Sequence, residues 1–144
     1  LFVSCFFLLH VHAQPYQLSL LKDIDPTGSS NARGIIEMNG IYYFNAYTSN
    51  EGFELWRTDG TTSGTYLVKD INPGIADGSI GFYPVKMNNK IYFPATTAAN
   101  GMELWSSDGT AAGTQIVADI NPGTTGSYIF QITVYNNKVY FESE

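Results

Sequence analysis

Two glutamates stand at matched positions in this chain, Glu54 and Glu103, each followed by Leu-Trp. An acidic pair is what glycosidic hydrolysis needs, one group protonating the leaving oxygen while the other activates water or attacks. Two aspartates, Asp59 and Asp108, recur in the same way, each before Gly-Thr. Asp23-Ile24-Asp25-Pro26-Thr27-Gly28 partly matches the start of a calcium loop, with oxygens at alternating positions. Its twelfth position holds Gly34, however, and Gly74 and Gly123 take the third ligand position in the later copies. Strand termination by a capping Asp accounts better for the motif. No metal or cofactor is expected. The only histidines, His10 and His12, and the only cysteine, Cys5, fall within the first thirteen residues. Removal of that segment leaves no disulfide, no Cys- or His-ligated zinc, no Ser-His-Asp triad and no Cys-His dyad in this stretch.

That segment has the features of an export signal. Residues 1–10, LFVSCFFLLH, form an apolar run too short to span a bilayer as a helix. Val11-His12-Ala13 then offers small or β-branched residues where a signal peptidase reads, so cleavage is expected after Ala13. The chain begins at Leu1 with neither Met nor a basic leading region, so its true N-terminus is expected to lie upstream. The remaining stretch has no expected membrane span. Across all 144 residues, 44% are hydrophobic and 14% charged, the opposite of the balance that disorder requires. The net charge is −6 and no basic run occurs, which excludes nucleic acid and anionic membranes as partners.

The elements that position the acidic residues repeat. Glu54-Leu55-Trp56 returns as Glu103-Leu104-Trp105, and Asp59-Gly60-Thr61 with Gly64-Thr65 returns as Asp108-Gly109-Thr110 with Gly113-Thr114. Both recurrences share a spacing of 49 residues. Asp70-Ile71-Asn72-Pro73-Gly74 likewise returns as Asp119-Ile120-Asn121-Pro122-Gly123, with Asp23-Ile24-Asp25-Pro26 as an earlier cousin. Each unit reads as four short strands rich in β-branched and aromatic residues, punctuated by Asn-Gly, Asn-Asn and Asp-Gly turns. In the second copy the strands are expected at 82–87, 90–95, 102–105 and 114–120. Four strands in about 40–50 residues match one blade of a propeller. The expected fold is therefore all-β: tandem four-stranded antiparallel blades forming part of a larger β-propeller ring. Residues 1–13 are the signal peptide and 14–144 the partial propeller. The latter divides into a lone strand four (17–24), a blade (34–71), a second blade (82–120) and a half blade (130–143).

The two octamers beginning at Glu54 and Glu103 resemble the ELWxxDGT repeat found in tandem in secreted and surface proteins of bacteria. The resemblance runs from about residue 17 to the end. It implies a propeller-like fold, a secreted or cell-surface location and no established catalytic activity. A residue placed once per blade serves every blade, whereas a catalytic site is singular. Glu54, Leu55, Trp56, Asp59, Gly60 and Thr61, with Glu103, Leu104, Trp105, Asp108, Gly109 and Thr110, are accordingly read as scaffold. Short repeated turns lie at one end of each blade; variable loops and blade-to-blade links lie at the other. Function on rigid scaffolds favours variable loops. The candidate contacts there are Asn31, Arg33, Tyr47, Asn50, Glu51, Asp77, Asn100 and Tyr128. The expectation is a non-catalytic module for a protein or carbohydrate ligand; a carbohydrate-active enzyme and a structural spacer are the alternatives.

Overall fold

The computed structural model describes residues 19–79 and 83–144, so the expected signal segment lies outside the described residues. The described chain is all-β, with ten strands and no helix. The first sheet runs β1 (Arg33–Met38), β2 (Ile41–Thr48), β3 (Gly52–Thr58) and β4 (Tyr66–Lys69). The second runs β5 (Val85–Met87), β6 (Lys90–Thr97), β7 (Gly101–Ser107) and β8 (Gln115–Ala118). A two-stranded sheet of β9 (Phe130–Tyr135) and β10 (Lys138–Glu142) follows. Within the sheets every strand pairing is antiparallel between chain neighbours, in spatial order β1-β2-β3-β4, β5-β6-β7-β8 and β10-β9. Each sheet is a separate hydrogen-bonded unit, and the described residues do not close a ring.

The Asn turns work as their chemistry demands. A two-residue hairpin matching strand twist needs positive φ at both central positions. Asn39 and Gly40 (57° and 78°), Asn88 and Asn89 (50° and 56°), and Asn136 and Asn137 (47° and 56°) supply it.

Two departures from the sequence expectation exceed one or two residues at a strand end. The strand expected to open the second blade at Phe82 is only Val85–Met87, with Phe82 itself outside the described residues. Pro84 and Pro94 lack donors, and the β5–β6 ladder stops at Val85↔Tyr92. In the first sheet Asn45 stands where Pro94 does, and it pairs with Arg33 in a longer strand. Of the lone strand expected at 17–24, residues 17 and 18 lie outside the described residues, and residues 19–24 form no strand, with no ladder partner beside them among the described residues.

Residues 19–24 nonetheless dock as a strand four would. Lys22 Nζ donates to the Thr65 carbonyl of the first sheet at 2.6 Å. Lys69 of β4 does the same to the Thr114 carbonyl of the second sheet at 2.8 Å. The lysine that precedes Asp-Ile thus makes the same contact in both places, whereas Ala118 precedes Asp119-Ile120.

The core lies between the first two sheets. Tyr43, Leu55 and Val68 of one pack with Ile91, Phe93 and Trp105 of the other in a single buried cluster. The Tyr43 hydroxyl lies against Gly109, where a side chain would not fit. A smaller cluster of Phe44, Ala46 and Trp56 occupies the opposite face of the first sheet, covered by Ile24 and Leu67.

Candidate functional site

Glu54 and Glu103 sit mid-strand with no exposed surface. The Glu54 oxygens accept the backbone N–H groups of Ile71 (3.0 Å) and Asn72 (3.3 Å). Those of Glu103 accept Ile120 (3.1 Å) and Asn121 (3.2 Å), and both take the Ser127 hydroxyl at 2.7 Å. Each carboxylate therefore anchors the link that leaves its own blade. Burial pushes the Glu54 carboxyl up to about 7, with the link N–H groups pulling the other way. Among the described residues, both glutamate side chains are fully covered.

Asp59 organises its turn. Its Oδ1 accepts the Thr61 hydroxyl (2.7 Å) and N–H (2.9 Å), and Asp108 treats Thr110 identically. The Thr hydroxyl and N–H hold both carboxyls below the usual aspartate range. Thr61 Oγ1 then accepts the Gly64 N–H at 2.9 Å, as Thr110 does for Gly113. The Asp carboxylate packs directly on Gly64, or on Gly113, so a Cβ there would strike it. The whole Asp-Gly-Thr-x-x-Gly-Thr motif is one turn. The indoles of Trp56 and Trp105 are 8% and 7% exposed, and neither Nε1 has a hydrogen-bond partner in the structure.

Loops and links do gather at one end, as the strand count requires. The Tyr47 N–H bonds the Ser30 carbonyl (2.7 Å), Thr96 bonds Gly78 (2.7 Å) and Ser127 bonds Met102 (2.7 Å). Three surface features arise there. Arg33 lies over the Phe53 ring at 4.1 Å, and Phe53 meets Tyr47 edge-on at 5.4 Å. Tyr128, at a left-handed φ of 41° and half exposed, lines an apolar groove of about 580 Å³ with Tyr83, Met102 and Phe130. The third is a hollow of about 440 Å³ between residues 24–27 and the β2–β3 loop. Asp25, Thr48, Asn50, Glu51, Trp56 and Leu67 line it.

The eight loop candidates thus divide. Asn50 and Glu51 share the hollow, Arg33 and Tyr47 share Phe53, and Tyr128 stands on the groove. Asn31 is exposed at φ 43° and accepts the Ser29 hydroxyl at 3.2 Å. Asp77 points inward to the Phe53 N–H (2.9 Å), and Asn100 donates to Asp119 (3.0 Å), so both serve the scaffold. Sequence reading missed Phe53, Thr48 and the site-lining role of Asp25. A signal existed: Phe53 becomes Met102 in the next unit, whereas Thr48 recurs as Thr97. Among the described residues no group of three or more His, Cys, Asp or Glu comes together, and Asp25 is occupied by Thr27 Oγ1 at 2.8 Å. No described helix is long and apolar enough to cross a membrane.

Comparison of the chain with protein-family models, curated proteins and solved structures finds no match in any of the three.

Proposed function

We propose that this chain is a non-catalytic binding module, built from propeller-type blades of the ELWxxDGT kind and displayed outside a bacterial cell. One observation carries the reading. The recurring glutamates are consumed by backbone donors at full burial, while Asp25, Thr27, Ser49, Asn50 and Glu51, which change between copies, line the open hollow at the loop end. Chemistry that needs an accessible acidic pair has no place to occur at Glu54 and Glu103. Two sheets packed face to face, with Lys22 and Lys69 making the same kind of carbonyl contact, support a blade-like stacking. Export rests on the apolar run ending at Ala13, and N-terminal sequencing of the secreted product should begin at Gln14.

The test is an array of immobilised glycans and bacterial surface proteins, probed with the parent chain and two classes of variant. Asn50→Ala at the hollow should weaken binding, while Asn88→Gly at the turn end should leave it intact. Hydrolysis of any glycan, abolished by Glu54→Gln in a folded protein, would replace this reading with an enzymatic one.

A further inference from the structure

The contact between the first two sheets supplies a template that recurs at the surface. Met38 and Tyr43 of the first sheet pack there with Ile91, Phe93, Ala95 and Trp105 of the second. The Tyr43 hydroxyl fills the space beside Gly109 where a Cβ would stand, and both Ile91 and Gly109 are buried. At the spacing of 49 residues, the first sheet carries Tyr42, Phe44, Ala46 and Trp56 on its own matching face. Ile24 and Leu67 cover the last three of these. Tyr42, however, is 48% exposed, and no described atom lies within 4 Å of where a Gly60 Cβ would stand. A groove of about 350 Å³ opens there, with Leu21, Ile35, Tyr42, Phe44, Thr58 and Thr65 in its walls. Its hydroxyl pair is built as in the covered copy: Thr58 and Thr65 are joined at 2.6 Å, as Ser107 and Thr114 are at 2.7 Å. The seat that Tyr43 fills at Gly109 is open at Gly60.

The side chain that matches this seat lies on the third sheet. Met38 pairs with Ile41 at the first hairpin, and Tyr135 pairs with Lys138 at the last. That register puts Tyr135 at the place of Met38 and Tyr140 at the place of Tyr43. Alternation sets Tyr135, Lys138 and Tyr140 on an exposed face, and Val134, Val139 and Phe141 on a half-buried one. Met38 and Tyr43 are almost wholly buried, whereas Tyr140 is 47% exposed. Groove and tyrosine are open in the same structure, so they do not meet within one chain.

We propose that the chain associates head to tail with a second copy, the Tyr135–Tyr140 face of one seated on the Tyr42–Gly60 groove of the next. The Tyr140 ring lies against Tyr42 and Phe44 in this arrangement, and its hydroxyl reaches Gly60, as Tyr43 reaches Gly109. A tyrosine suits such a seat because it joins a large apolar body to a polar tip. The contact uses two different patches, so each added copy presents a fresh one and growth continues past two chains. Nothing in it depends on what the hollow binds.

Sedimentation velocity of the parent chain at about 5–100 µM should show a mass rising past two chains, as a Kd of about 10 µM or tighter requires. Tyr42→Lys spoils the groove and Tyr140→Lys spoils the opposite face; each alone should weaken association at least about tenfold. Both replace exposed side chains, and circular dichroism matching the parent's checks that each is folded. Leu21→Lys, also exposed and in the groove, takes the place of Tyr42→Lys if that variant does not fold. Mixed in equal amounts, the two variants should pair and stop at two chains, because the intact groove of one takes the intact Tyr140 of the other. A monomeric parent, parent-like association of both variants, or a mixture that stays monomeric overturns the proposal. A parent that associates only after residues 14–18 are deleted would give the groove to that segment, and overturns it too.

Discussion

Glu54 gives the chain an unusual pH signature. Its folded value of about 7 lies above its ordinary 4.5, so between these limits the folded state keeps a proton that the unfolded chain releases. The stability it contributes is complete below about pH 4.5 and is lost as pH rises through about 7. Asp59 and Asp108 run the other way: depressed below 3.8, they contribute above that value and lose it as pH falls. Maximum stability is therefore expected at about pH 4–5. Urea midpoints across the neutral range should decline for the parent chain and decline less for Glu54→Gln; equal slopes would show that Glu54 is not the titrating group. The turn motif supplies a second residue-scale prediction. Gly64→Ala and Gly113→Ala should each cost about 1–3 kcal/mol by driving a methyl into the Asp carboxylate. Asp59→Ala made together with Gly64→Ala should relieve that clash, so a double-mutant cycle must depart from additivity. Additive melts would mean that the two do not touch.

At the scale of elements, the two tryptophans part company. Trp105 belongs to the cluster between the first two sheets, whereas Trp56 packs on the smaller face beneath Ile24. Trp105→Ala should cost about 3–5 kcal/mol through the cavity it leaves. Trp56→Ala should cost less, since fewer buried side chains surround it; denaturant melts in which Trp56→Ala is the more damaging would reverse the assignment of the main core. Lys69 crosses from the first sheet to a carbonyl of the second and lies over the Trp105 ring at 5.6 Å. Lys69→Met should keep the stem packing but lose the bridge, costing about 1 kcal/mol and raising hydrogen exchange in β8. Unchanged exchange there would remove the lysine from the set of ties between sheets.

For the whole molecule, apolar surface is concentrated on the outer faces. Leu20 is 79% exposed and Ile35 68%, and Tyr135 is 66% exposed on the two-stranded sheet, whose β10 has one free edge among the described residues. Such faces and edges associate in water. The chain is expected to self-associate in sedimentation experiments, and Ile35→Lys with Tyr135→Lys should shift it toward monomer. A monomeric parent with a cooperative melt would show that these faces are no liability, and would weaken the case for stacked blades.

Much of the architecture was legible without coordinates, for a local reason. Period-two strands, Asn turns with positive φ and the Asp-Gly-Thr turn are set by near neighbours in the chain, and repetition at fixed spacing removed the ambiguity of any single copy. The recurrence of Glu54 and Glu103 was also readable, though not their burial. The partners of those carboxylates were not, because Ile71 and Ile120 lie 17 residues away across a strand and a link. Nor was the hollow. Asn72 closes the space in one unit and Asp25 leaves it open in the other, and both residues occupy the same place in the same motif. The sequence records that substitution as one conservative change; an acceptor-only carboxylate takes the nearest donors, on Thr27, whereas only tertiary packing brings the Ala98 N–H, 26 residues away, to Asn72.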